Sequence, residues 1–158
     1  GEPIPDQLLD RMRSARNYRA ASLMMRQLSF ATVDLRLHRE FNASGGSSVV
    51  EFAFDVAQDF SPVVLPDGYA MIASFNHLFS SPVGYAAAYY SYKWAEVLEA
   101  DAFTRFRQEG LFSPVIGEEL RSKILSRGNS QDPMELFIDF MGREPDPEAL
   151  LNRAGLNR

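Results

Sequence analysis

The hydrophobic positions of this chain recur with helical spacing. Ile4, Leu8, Leu9 and Met12 mark a short amphipathic helix behind the entry residues Pro3 and Pro5. Asn17 stands where it can cap a longer helix, from Tyr18 to about His38. Within it Met24, Leu28, Ala31 and Leu35 recur at alternating steps of four and three and predict the core face. After the flexible turn Ser44-Gly45-Gly46-Ser47, the pattern Ser48-x-x-Glu51 matches a capping box and opens a helix through about Phe60. Pro62, Pro66 and Gly68 then break the chain. A short apolar segment, Tyr69 to Phe75, leads to His77 and a turn-rich loop of Ser80, Ser81, Pro82 and Gly84. Beyond Gly84 the spacing predicts one long helix to about Arg107, stopped by Gly110.

Three further starts follow. Ser113-Pro114 has Ser at the N-cap and Pro at the first helical position, and its helix runs to about Ser126 before Gly128. Asp132-Pro133-x-Glu135 opens a helix that Gly142 ends, and Asp146-Pro147-Glu148 opens a last one that Gly155 ends. There is no alternating strand pattern of useful length, no internal repeat, no low-complexity tract and no convincing linker. The expected class is all-α, an irregular multi-helix bundle, with residues 1–158 as a single helical domain.

Composition narrows the function. Apolar residues make up 46% and charged residues 23% of the 158, so the chain can bury a core. A net charge of -5, with basic residues scattered among acids, argues against a nucleic-acid partner. The absence of Cys removes disulfides, thiolate metal sites and Cys nucleophiles, and fits a reducing, cytoplasmic compartment. No apolar run approaches the length of a membrane span, and no signal peptide is visible. The chain opens on Gly1 without Met, and we expect either a removed leader or a piece of something longer.

Chemistry is thinly supplied. The two histidines, His38 and His77, lie 39 positions apart in a sequence with no His-Glu-x-x-His pattern, so the two-imidazole face of a zinc peptidase is absent. Carboxylate pairs such as Glu118/Glu119 and Asp146/Glu148 sit in first helical turns, where they complement the helix dipole. There is no Gly-x-Ser-x-Gly elbow, phosphate loop or dinucleotide fingerprint. His38 closes its helix and serves the C-terminal dipole.

The segment Phe75–Trp94 stands apart: it packs Tyr85, Tyr89, Tyr90, Tyr92 and Trp94 behind His77. Buried phenols need hydrogen-bond partners, so core helices seldom concentrate them. On a helix Tyr85, Tyr89 and Tyr92 fall within an arc of about 60°, with Tyr85 and Tyr92 roughly 10 Å apart along the axis. Tyr90, Trp94, Val97 and Leu98 fall on the other side and read as core. From the residues alone two readings of the first set stand. The simpler has their hydroxyls bonded to backbone carbonyls. The other has His77 and two phenols gripping a carbonyl that acquires negative charge.

The blocks FNHLFSSPVGYAAAYYSYKWAEVLEADAF, RQLSFATVDLRLH (Arg26 to His38), ILSRGNSQDPMELF (Ile124 to Phe137) and GREPDPEALL (Gly142 to Leu151) resemble the C-terminal region of one family. It is the family of zinc metallopeptidases that holds thimet oligopeptidase, oligopeptidase A and peptidyl-dipeptidase. The resemblance covers essentially the whole chain and leans toward the oligopeptidase A branch. It implies a helical peptidase of short peptides whose zinc is bound by a His-Glu-x-x-His helix and a downstream Glu, upstream of the matched blocks. It also implies that Tyr92 and His77 hydrogen-bond the oxyanion of the tetrahedral intermediate, and that Tyr85, following Gly84, holds the substrate backbone. A phenol with a pKa near 10 keeps its proton for that task at pH 7.

The loop Ser80-Ser81-Pro82-Val83-Gly84 is about two residues longer than in many relatives and carries a Pro, which removes hinge freedom. By this resemblance the chain is a C-terminal fragment of the catalytic domain. It would supply the substrate- and oxyanion-binding wall, with zinc in the full-length parent and none expected in this chain, and would be inactive alone. Its partners would be short peptides, with no nucleic acid or membrane, and it would self-associate through surface that the absent part leaves exposed. The alternative is a non-catalytic helical peptide-binding or interaction module.

Overall fold

The computed structural model describes residues 3–157, and every regular element among them is helical, as the spacing of apolar residues predicts. The chain divides into two compact units, 1–93 and 94–158. In the first unit come α1 (Asp6–Arg16), α2 (Ala20–Arg39), α3 (Val49–Gln58), a 3₁₀ turn (Met71–Ser74) and α4 (Asn76–Phe79). Helix α5 (Ser91–Glu109) begins with the last three residues of that unit. The second unit holds the rest of α5 with α6 (Pro114–Leu120), a π-helical turn (Arg121–Leu125), α7 (Pro133–Met141) and α8 (Glu148–Ala154).

The predicted punctuation is largely where the sequence puts it. Ser48 and Glu51 form the reciprocal capping box of α3, with bonds of 3.1 and 2.8 Å. Ser113 Oγ accepts from the Ile116 amide at 3.4 Å, and Asp132 accepts from the Met134 amide at 2.7 Å. Gly142 and Gly155 close α7 and α8 in the left-handed region, at φ of 75° and 68°.

The entry to α2 differs. Asn17 does not cap it; Asn17 ends α1, with its amide on the Ala15 carbonyl, and Arg19 takes the cap position at φ 59°. The core face of α2 is also rotated from the expected one. Phe30, Ala31 and Val33 are buried, Leu28 is exposed, and Met24 and Leu35 are half-buried. Phe30 and Val33 join Ala53, Val56 and Ala57 of α3 and Ile72, Phe75 and Leu78 in one cluster, which forms the core of the first unit. The first half of α2 therefore carries apolar residues that this core does not use. The same holds for α1, which buries none of its residues.

In the second unit Val97, Ala100, Ile116, Leu136, Phe137, Phe140 and Leu150 are buried. A fully buried Asp101 accepts two Arg143 hydrogen bonds of 2.6 Å and the Asp146 amide at 2.8 Å. That carboxylate ties the turn after α7 to α5. Arg105, also on α5, reaches Glu119 and the Phe140 carbonyl at 2.7 Å each.

Candidate functional site

Phe75 and Leu78 are buried in the first core and fix the one-turn helix α4 by its apolar side. That leaves His77, between them, exposed. After α4 the chain folds back on itself at Gly84, where a Cβ would lie 3.3 Å from Ser81 Cβ. Gly84 suits this close approach, where a side chain would press Ser81 aside by a few tenths of an ångström; its φ is not in the left-handed region.

The helix predicted to begin after Gly84 begins instead at Ser91. Residues 85–90 form successive turns, closed by Ala88 N–H on the Tyr85 carbonyl and Ser91 N–H on the Ala88 carbonyl, each 3.0 Å. Ala87 is left-handed at φ 56°. The cause lies on α2. Asp34, with 0% of its surface exposed, accepts the Ala87 amide at 3.3 Å and the Tyr89 amide at 2.9 Å. Holding an Ala in that region costs about 1–2 kcal/mol. Hydrogen bonds to a charged acceptor are worth about 1.5–3 kcal/mol each. Two of them outweigh the strain, and they outweigh the neutral carbonyl partners a continued helix would offer those amides. The helix former Ala is overruled by a tertiary contact.

This turn brings the predicted residues together more tightly than a helix could. The His77 ring lies 5.5 Å from Tyr85 and 6.4 Å from Tyr92, centroid to centroid, and Tyr85 and Tyr92 are near-parallel at 6.4 Å. On a continuous helix the two phenols would be separated by roughly 10 Å of axis. Tyr92 comes from the first turn of α5, Tyr85 from the turn before it, and His77 from α4. Tyr85 and Tyr92 are 45% and 43% exposed, so the set is an open face.

Tyr89 is of the other kind. Its hydroxyl donates to Gln27 Oε1 at 3.0 Å, and its ring packs on Phe30 and Phe75 at 5.8 and 5.3 Å. It also meets Tyr92 at 5.1 Å and so forms the floor between the core and the exposed rings. Of the positions expected as core on the other side, Val97 is buried and Leu98 half-buried, but Tyr90 and Trp94 are 57% and 42% exposed. Because the helix starts at Ser91, Tyr90 is not on it at all.

Partial burial, then the neighbouring Tyr85 and Tyr89 phenols, push the Tyr92 phenol above its ordinary value of 10.0. Burial likewise raises Tyr89, against the opposing Arg26 charge and the Gln27 hydrogen bond. Both phenols therefore keep their protons through neutral pH, the state in which they donate.

A family model described as peptidase family M3 matches residues 1–156. The chain belongs to peptidase family M3. It is 46% identical to oligopeptidase A of Salmonella typhimurium over 156 residues, which is 99% of this chain and 23% of the relative. It is 41% identical to the probable cytosolic oligopeptidase A of Arabidopsis thaliana over 162 residues, 99% of this chain and 22% of that one. The dipeptidyl carboxypeptidase of Salmonella typhimurium is 33% identical over 160 residues, 100% of this chain and 23% of the relative. The family and the oligopeptidase A branch expected from the four sequence blocks are thus found. The chain spans about a quarter of the length of the curated relatives it matches.

Zinc is implied by membership of peptidase family M3, and the described residues of this chain do not by themselves form a site for it. Among the described residues no group of three or more His, Asp and Glu side chains could hold a metal ion. His38 is committed elsewhere. Its Nδ1 is 2.8 Å from the Asp34 carbonyl and 3.2 Å from Asp34 Oδ1. Two acceptors require Nδ1 to carry the proton. His77 is surrounded by aromatic rings. No helix among the described residues is long and apolar enough to cross a membrane.

Residue-level reading missed Asp34 and gave His38 only a dipole role. A signal was present in the family block itself. Asp34 sits between Val33 and Leu35 with His38 one turn on, and an acid inside an apolar arc must find partners.

Proposed function

We propose that this chain supplies the substrate- and oxyanion-binding face of a peptidase site that acts on short peptides. Tyr92 and His77 donate to the oxygen that gains charge as the peptide carbonyl becomes tetrahedral, and Tyr85, presented behind Gly84, holds the substrate backbone. The observation that carries this reading is the convergence of His77, Tyr85 and Tyr92, with ring centroids no more than 6.4 Å apart, on an exposed face. Preorganised neutral donors aimed at one developing charge lower a barrier without reorganising. Family membership supports peptides as the substrate class. The chemistry assigned to this chain stops at hydrogen bonding; alone it hydrolyses nothing. A cytoplasmic location fits the lack of Cys and the word "cytosolic" in the name of the Arabidopsis relative. Exposed Ile4 just before α1, Leu8 and Met12 on it, and Phe112 and Val115 in the second unit support self-association in solution.

The test is binding to the 158-residue chain. A peptide with a phosphonamidate in place of one peptide bond presents a tetrahedral anion; its carboxamide counterpart does not. The expected result is preference for the phosphonamidate, reduced roughly tenfold or more in Tyr92→Phe, the order of one hydrogen bond to a charged acceptor. Equal affinity for the two peptides would sink the oxyanion role and favour a plain peptide-binding module. Turnover of the carboxamide peptide by the purified chain would overturn the claim of inactivity.

A further inference from the structure

The exposed rings depend on a residue that touches none of them. Asp34 is buried on α2, and its two carboxylate oxygens take the amides of Ala87 and Tyr89, 3.3 and 2.9 Å away. The left-handed Ala87 aims both amides at the same carboxylate, a small anion-binding concavity built from backbone. His38, one turn on along α2, bonds the Asp34 carbonyl through Nδ1 at 2.8 Å and thereby stands 3.2 Å from Oδ1. The same imidazole lies flat against Phe79, with 5.9 Å between centroids and 8° between planes. Phe79 ends the helix that carries His77. One Asp–His pair therefore ties down both ends of the segment from His77 to Tyr89.

The sequence of that segment favours something else. Ala86, Ala87 and Ala88 are strong helix formers, separated from α5 only by Tyr89 and Tyr90. Were they to join it, Tyr85 and Tyr92 would separate by roughly two turns of axis and could not stack. The turn and the extended helix are thus alternatives, and the carboxylate selects between them.

We propose that Asp34, braced by His38, is the positioning residue of the aromatic face, holding residues 85–90 in a turn against their own helical preference so that Tyr85 meets His77 and Tyr92. This rests on the reading of that face as a peptide site.

The test is nuclear magnetic resonance on the full 158-residue chain with Asp34→Asn, His38→Ala and the pair Asp34→Asn/Ala87→Gly. Asn presents an NH₂ where one amide needs an acceptor. The expected result for Asp34→Asn is helical Cα shifts across 85–90, loss of the Tyr85–Tyr92 ring contact, and exchange of the Ala87 and Tyr89 amides roughly tenfold to a hundredfold faster, the worth of hydrogen bonds to a charged acceptor. His38→Ala should give the same change at smaller amplitude. Gly at position 87 is a poor helix residue and is at ease in the left-handed region, so the double variant should regain the turn. A residue that merely filled the core would not be rescued from position 87.

Unchanged ring contacts and amide exchange in Asp34→Asn would overturn the proposal. So would a double variant no closer to the parent than the single one. Should Asp34→Asn not fold, the unsubstituted chain still decides. Its Ala87 and Tyr89 amides should exchange roughly tenfold to a hundredfold more slowly than those of Gly84 and Tyr85; equal rates would overturn it. Binding of the phosphonamidate peptide is measured in parallel. If the parent chain ignores that peptide while the turn behaves as described, the peptide-site reading falls and the positioning role stands. If the peptide binds and Asp34→Asn leaves both turn and affinity intact, the reverse holds.

Discussion

Each unit buries one aspartate, and the two are satisfied in opposite ways. Asp101 in the second unit, 1% exposed, has a full counter-charge in Arg143, which grips both its oxygens at 2.6 Å. Burial by itself would push the Asp101 carboxyl up. The Arg143 hydrogen bonds, the Asp146 amide and the Arg143 charge outweigh it and hold the group below the usual carboxylate range. Asp34 in the first unit, 0% exposed, is held by two backbone amides and an imidazole. Both carboxylates clamp a loop. The guanidinium makes the Asp101 clamp a piece of architecture, anchoring the turn before α8. The Asp34 clamp spends its oxygens on backbone whose preferred state is different, and it lies beneath exposed rings. A buried charge matched by a permanent charge secures the fold; one matched by amides fixes a conformation.

The largest expected effect comes from removing the counter-charge. Arg143→Ala leaves Asp101 buried without its cation, which should cost about 3 kcal/mol, the low end for a broken buried pair because Arg143 itself is 45% exposed. His38→Ala removes one hydrogen-bond donor from Asp34 and should cost about 1 kcal/mol. Amide exchange followed separately in α7 and in α2 reads the two units independently. If His38→Ala proved the costlier, the comparison would be reversed.

Acid comes next. Because the folded Asp101 carboxyl lies below its unfolded value, its contribution is fully present above the unfolded pKa of about 3.9. That contribution is lost as pH falls through the lower folded value. Exchange in α7 should therefore accelerate below about pH 4, and Asp101→Asn should flatten the dependence while lowering stability at neutral pH. A variant that kept the parent's acid response would show that other carboxylates carry it.

The smallest effects sharpen the contrast in the turns themselves. The second unit closes α7 with Gly142 at φ 75°, and the first uses Ala87 at φ 56°. Gly142→Ala should cost about 1 kcal/mol of left-handed strain, since its Cβ would meet nothing within 4 Å. Ala87→Gly should do the opposite and stabilise by about 0.5 kcal/mol, strain relieved less the extra chain entropy of Gly. Thermal unfolding of the two variants gives the sign.

The same contrast explains what the sequence disclosed. Capping boxes, Pro at the first helical position and Gly stops are local, and Ser48, Ser113, Asp132, Gly142 and Gly155 could be read directly. The start of α5 could not. Three alanines argue for helix, and the carboxylate that overrules them stands 53 positions upstream of Ala87. The rotation of α2 was hidden for a like reason. Met24, Leu28 and Leu35 have the spacing of a buried face, but the partners on α3 and the 3₁₀ turn select Phe30 and Val33 instead. His77, Tyr85 and Tyr92 were named through family motifs, and their meeting depends on a turn that helical geometry did not foresee.

The distance between Asp34 and its turn also sets an order of events. Its two amide bonds span 53 and 55 residues, so they close only after α2 has found its place, and the entropy of that closure must be met first. Until they close, the roughly six residues after Gly84, about 1.7 turns of helix, have only their own helical preference to follow. A synthetic peptide of residues 75–94 would contain every side chain of the aromatic face and none of its shape.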